Sequence, residues 1–236
     1  KTYPAFDYEK NDYYDMTANI NVTDYDGSKY YMWDAQKNYW NGHEWNSANP
    51  WQPVLVFASN SNYPTFGSNS YYHENEGFGR MDATYSCKDL PNANELGWYV
   101  KNGDPRWDED KLWTAMGHLY KGGMWFREKS FIKMLTSFQS EEGPGYTDMR
   151  ENFNNLVVTP TQGAPVGYFA NRYFFLPALG KYGFGQLTDI GQSGYYWSSS
   201  ASPADSNWAY LLQFSKSKVI VNTTQSDGGF YVGTFQ

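Results

Sequence analysis

Three histidines, scattered acids and one serine run are the side chains in this 236-residue chain that could do chemistry. His43-Glu44 has the start of a helical zinc-protease motif but lacks its second His, so it reads as a loop pair. His118 reads as a packed or hydrogen-bonded helix residue, and His73 lies in a polar loop without a motif. Asp24-x-Asp26-Gly27 and the group Asp104, Asp108, Glu109 and Asp110 could offer oxygens to calcium. Neither has the alternating spacing and closing Glu of an EF-hand loop, and solvated loop acids or helix-start acids account for them. Ser198-Ser199-Ser200 lacks the G-x-S-x-G elbow of a serine nucleophile and reads as a strand end. A carboxylate pair for glycoside hydrolysis is defined by distance in space, and nothing in the sequence supports one. The chain is therefore read as non-enzymatic, without metal or cofactor.

What remains is the chemistry of recognition. Aromatic faces can stack on sugar rings or serve as protein hot spots, while amides and hydroxyls orient a ligand. The candidate contacts are Tyr182, Phe184, Tyr195, Asp205, Asn207, Trp208, Tyr210, Gln213, Lys218, Asn222, Gln225 and Tyr231. Most lie in the last forty-odd residues, where three segments alternate with period two. Trp208, Tyr210, Leu212 and Phe214 share a face. Val219 and Val221 oppose Ile220 and Asn222, and Phe230 and Val232 oppose Tyr231 and Gly233. Such alternation marks half-buried strands, and polar connections ending in Asp227-Gly228-Gly229 favour tight turns. The expectation is an antiparallel meander with one face in a core and the other free for a ligand. The face shared with Leu212 and Phe214 would equally place Trp208 and Tyr210 in the core.

Upstream, 17–22 and 30–33 read as strands, followed by an aromatic loop from Asn38 to Trp45, an apolar strand over 54–58 and an extended loop over 59–80. Asn92 and Glu95 form a capping-box pair ahead of Leu96, Tyr99 and Val100, and Gly103-Asp104-Pro105 stops that helix. Leu112, Met116 and Leu119 share a stripe that predicts a second helix over 108–120, ended by Gly122-Gly123, with a strand returning over 124–131. The stretch 139–167 reads as a long loop, and 173–176 as a buried strand broken by Pro177. No repeat or linker divides the chain. It is expected to be one α+β domain over 1–236, with 1–30 a peripheral strand or the remnant of a preceding domain.

Composition narrows the partners. With net charge −7 and few basic clusters, a nucleic-acid partner is not expected. No apolar run is long enough for a transmembrane helix. Low charge with abundant Asn, Ser, Tyr and Gly suits an extracytoplasmic protein. Cys87 is the only cysteine, so no internal disulfide forms. Twenty-two Tyr and ten Trp exceed the needs of a core this size, which implies either a binding face or a loop-rich domain packed with aromatics.

Several segments carry a family resemblance. The stretch from Cys87 through Leu90-Pro91 to Glu95-Leu96 resembles the helix entry of formylglycine-generating-enzyme-like domains, and Gly122-Gly123-Met124-Trp125-Phe126 loosely resembles their core segment. The series Tyr173 to Gly180, Gly194 to Ser200 and Gly229 to Val232 is similar to carboxy-terminal domains of Bacteroidetes surface proteins related to the Fibrobacter major paralogous domain. The resemblance covers roughly residues 30–236. It implies a C-type lectin-like fold with two short helices flanking small antiparallel sheets, long loops, and a secreted or lipid-anchored location at the cell surface. The reactive cysteine pair of the oxidases and the calcium triplet of sugar-binding lectins are absent, so neither activity is implied. Targets of diversity-generating retroelements, which rewrite outward residues of such a meander, suggest a variable protein. Its variable positions would be Gln192, Ser193, Asp205, Ser206, Asn207 and 222–227. The expected function is a surface module binding a glycan or protein ligand; the alternative is a structural or tip subunit of a fimbria-like appendage.

Overall fold

The computed structural model describes residues 22–44, 47–48, 78–233 and 235. The expectations for 1–21, Trp45, 54–58, 59–77 and His73 lie outside the described residues. Among those described, two sheets enclose one main core. The first sheet contains β1 (Thr23–Tyr25), β3 (Arg106–Ala115), β4 (His118–Arg127), β6 (Thr161–Gln162) and β7 (Tyr173–Pro177). Its order is β1-β3-β4-β7, with β6 also pairing β3. The second sheet, in spatial order, is β2 (Tyr30–Tyr31), β13 (Phe230–Tyr231), β10 (Ser193–Ala201), β11 (Trp208–Ser215), β12 (Val219–Gln225) and β5 (Leu156–Val158). A separate hairpin joins β8 (Lys181–Gly183) to β9 (Gln186–Thr188).

This architecture corrects the expected α+β fold with two flanking helices. Among the described residues strands account for 38% and helices for 12%, and the predicted second helix is a β-hairpin. Leu112, Met116 and Leu119, meant as its buried stripe, are 40%, 39% and 53% exposed. The alternating residues Trp113 and Ala115, with Met124 and Phe126 on the partner strand, are buried instead. The reversal falls at Met116 and Gly117, whose φ angles of 51° and 75° are both positive, as a type I′ hairpin turn requires. Gly122-Gly123 ends no helix. A Cβ on Gly123 would lie 2.3 Å from the Phe175 ring, so Gly123 lets β7 approach β4 closely.

The first helix forms where the sequence places it, as α1 (Ala93–Asn102). Asn92 Oδ1 accepts the Glu95 amide at 2.9 Å and Glu95 Oε2 accepts the Asn92 amide at 3.1 Å, completing the capping box. The helix is embedded, however. Seven of its residues are buried, as befits a helix packed on several sides. It touches β5, β10, β11 and β12 as well as α2 (Lys129–Lys133). The stretch expected to return as a strand over 124–131 thus divides, β4 ending at Arg127 and α2 following. The expected loop 139–167 contributes β5 and β6.

The terminal meander is present, and its register is regular. Tyr210 faces Thr223, Leu212 faces Val221 and Phe214 faces Val219. Gly194 lies opposite Phe214, whose ring would come within 2.2 Å of a Cβ there. The serine run falls in the last residues of β10, at the strand end where the sequence reading put it. Ser198 Oγ accepts the Ser200 amide at the irregularity between Trp197 and Ala201, and Ser200 Oγ accepts the Ala93 amide at the start of α1. All three serines are buried. The supposed free face is largely covered. Tyr195, Trp197, Ala201, Ala209, Leu211 and Phe230 pack there beneath Trp33, Cys87 and Leu90 in a second, smaller cluster.

Candidate functional site

One end of the first sheet gathers guanidinium groups. Arg106 opens β3, Arg127 closes β4 and Tyr173 opens β7, the last two in register across the ladder. Asp104 follows the end of α1 with φ 46°, a left-handed conformation uncommon outside glycine. That turn delivers its carboxylate between the strands. Asp104 Oδ2 accepts from Arg106 Nε at 2.9 Å and from the Tyr173 hydroxyl at 2.6 Å. Arg127 Nη2 lies 3.7 Å from the same oxygen and donates to the Tyr173 hydroxyl at 3.2 Å.

The third guanidinium is held differently. Arg172 ends a 3-10 helix over Gly167–Arg172, and its guanidinium lies over the rings of Phe169 at 4.3 Å and Phe131 at 4.8 Å. No carboxylate comes within ion-pairing distance of it among the described residues. The cation is held by aromatic rings alone, and its N–H groups make no hydrogen bond among the described residues, so they can serve another partner.

These groups line a cleft of about 340 Å3 whose other walls are Phe131, Met134, Leu135, Pro165, Val166 and Phe169. Met134, Leu135, Val166 and Phe169 are 74%, 67%, 81% and 55% exposed, and neighbouring Tyr168 is 83% exposed. Scattered exposed apolar residues are ordinary, but a contiguous group beside a cleft marks an interaction site. Three arginines face one carboxylate here, in a chain of net charge −7. The cleft is suited to a ligand that joins an anionic group to apolar surface.

The residues predicted to bind do not converge on this cleft. Tyr210 and Tyr231 are core residues, 0% and 6% exposed, because the alternation places them on the inner face. Tyr182 is buried against Tyr39, the rings stacked at 5.3 Å. Tyr195 is buried with Lys181 over its ring, and its hydroxyl donates to Asp189 at 3.1 Å. Trp208, Gln213 and Asn222 are half-buried, while Phe184, Asp205, Lys218 and Gln225 are exposed, as is Asn207. Gln213 donates to the hydroxyl of another of the set, Tyr195, at 3.4 Å. Thr223 and Ser226, counted among the variable positions, are buried. The cleft residues come from 104–106, 127–135 and 165–173. The only sequence signal for them was arginine recurring next to aromatic residues.

Two other polar clusters tie the chain to itself. Asp34 is fully buried at φ 54°, and its carboxylate accepts the amides of Thr84, Tyr85 and Cys87 at 2.7, 2.8 and 3.1 Å. Burial pushes the Cys87 thiol up to about 12, which suppresses the reactive thiolate. Asp148 accepts from Asn94 and makes a two-point contact with Arg150. No group of three or more His, Cys, Asp or Glu side chains is placed to hold a metal among the described residues. No helix among them is long and apolar enough to cross a membrane.

Comparison with protein-family models, curated proteins and solved structures finds no match to this chain.

Proposed function

We propose that the chain is a non-enzymatic, extracytoplasmic binding module whose ligand seats in the arginine cleft at the end of the first sheet. The observation that carries this reading is the union of three guanidiniums, opposed by one carboxylate, with an exposed apolar rim. A buried arginine network alone would be structural. An apolar rim alone would be a generic sticky surface. Together they form a concave site that is preorganised by Asp104 and Tyr173 and still has charge and apolar area to offer. The covered outer face of the meander moves the proposed contact surface away from the carboxy-terminal strands. Phe184, Asp205, Asn207 and Lys218 remain solvent-facing residues of turns and connections, and Gln225 of the end of β12, rather than a shared pocket.

The test is binding to peptide and glycan arrays by the wild-type chain and by Leu135→Asp/Val166→Asp. Both residues are exposed, so the double variant should fold normally. Array signal lost in the variant supports the cleft, whereas equal signal in both proteins removes it from consideration. A mass that rises with concentration in size exclusion, abolished by the same double variant, would reassign the rim to subunit contacts in an appendage.

A further inference from the structure

Resting on that cleft as the binding site, the geometry points to a free carboxylate at the end of a polypeptide with a hydrophobic last residue as the group it takes, with Arg172 as the carboxylate's partner. Three features favour this reading. The first is charge. Arg106 and Arg127 share the Asp104 carboxylate and the Tyr173 hydroxyl, whereas the Arg172 side chain has no hydrogen-bond or ion-pair partner among the described residues, so its N–H donors are the ones left for an anion. A planar fork of N–H donors matches a carboxylate in two-point contact. The second is the wall chemistry. Next to Arg172 stand Val166, Phe169, Met134 and Leu135, which offer an apolar side chain area to bury and a sugar ring's hydroxyls no partners. The third is size. At about 340 Å3 the cleft is at the small end for ligand pockets. It admits a chain end of one or two residues and leaves the rest of the chain to run out over the exposed rim at Tyr168.

The experiment compares four probes by calorimetry and by amide chemical shifts of 131–135 and 166–172 in the intact chain. They are a hexapeptide ending in Leu-Phe with a free carboxylate, the same peptide as its terminal amide, N-acetylphenylalanine, and glucuronate. The free-acid peptide should bind, with shifts confined to the cleft. Its amide should bind at least about tenfold more weakly, the worth of a lost charge-assisted hydrogen bond. Arg172→Gln should reduce the acid to the level of the amide, and Arg172→Lys should restore only part of the difference, since it keeps the charge but not the fork. N-acetylphenylalanine binding as tightly as the peptide would identify a small organic acid as the occupant and overturn the polypeptide assignment. Glucuronate binding more tightly than either would overturn it in favour of a glycan. Equal binding of acid and amide, with shifts still in the cleft, would refute the carboxylate while leaving the cleft as the site. If no probe shifts the cleft amides, the inference falls, and the array comparison above decides separately whether the cleft binds anything. Should Arg172→Gln fail to fold, the acid–amide comparison on the wild-type chain decides alone.

Discussion

Asp148 illustrates how a surface-facing sequence position becomes a structural anchor. Burial raises its pKa, but the hydrogen bonds from Arg150 and Asn94 and the charge of Arg150 outweigh that and hold it at about 2, below the ordinary 3.8. A carboxylate held below its unfolded value adds stability that is complete above about pH 4 and disappears as pH falls through about 2. The shift corresponds to about 2 kcal/mol. Urea midpoints should therefore show wild-type and Asp148→Asn well separated at pH 6 and converging toward pH 2. A gap that stays constant over that range would mean the carboxylate charge is not what matters. Glu95 is shifted in the same direction: burial opposes the shift, and Lys129, Ser140 and the Asn92 amide outweigh it. Two contributors to the acid side of the stability profile are thus tied to α1.

At the scale of elements, glycine separates tight strand packing from turn geometry. Gly194 sits beneath Phe214, three of whose ring atoms would lie within 2.6 Å of an added Cβ. Gly117 has open space around it but φ of +75°. Gly194→Ala should cost about 2–3 kcal/mol through overpacking, and Gly117→Ala about 1 kcal/mol through backbone strain. Chemical denaturation of both variants checks the ordering, and an equal or smaller loss at Gly194 would contradict the packing account. The same elements show what the sequence made legible. The strands carrying Tyr210, Leu212, Phe214, Val219 and Val221 were readable because one face alternates cleanly. So was α1, because Asn92 and Glu95 are a local signal. The hairpin of β3 and β4 was not. Leu112, Met116 and Leu119 happen to fall at helical spacing, while the irregularity between Asp108 and Leu112 interrupts the period-two pattern on the true strand. The covering of the meander's outer face was invisible too, since it depends on Asp34 gathering the amides of 84–87 from fifty residues away. The cleft is an assembly of three distant segments, and no local spacing announces it.

For the molecule as a whole, the aromatic excess has a structural use beyond any binding face. The hydroxyls of Tyr30, Tyr196 and Tyr210 donate to the carbonyls of Leu179, Pro177 and Met149, at 2.6, 2.6 and 2.9 Å. The indoles of Trp33, Trp98, Trp113 and Trp197 donate to the carbonyls of Ser198, Glu142, Gly122 and Tyr31. Long connections leave backbone carbonyls near the core, and an aromatic with a polar tip fills space and satisfies one at once. Tyr30→Phe should cost about 1–2 kcal/mol by leaving the Leu179 carbonyl without its phenol, and Tyr196→Phe about 1 kcal/mol, because the Pro177 carbonyl keeps the Leu179 amide at 2.9 Å. Because both grip the stretch 177–179, the double variant should depart from additivity. Thermal or urea unfolding of the two singles and the double measures this, and losses near zero would show that water replaces the phenols.

The pairing of β2 with β13 has a consequence in time. Tyr30 and Tyr31 find their ladder partners only at Tyr231 and Phe230, so one of the earliest described strands to leave the ribosome waits for one of the last. Tyr30 meanwhile also lacks the Leu179 carbonyl and the rings of Tyr182 and Tyr231. Closing so long a loop is slow compared with forming the β3–β4 hairpin or α1. The second sheet can therefore be completed only after the chain has been synthesised past Tyr231, and until then the 30–34 segment is an open edge for chaperones to guard.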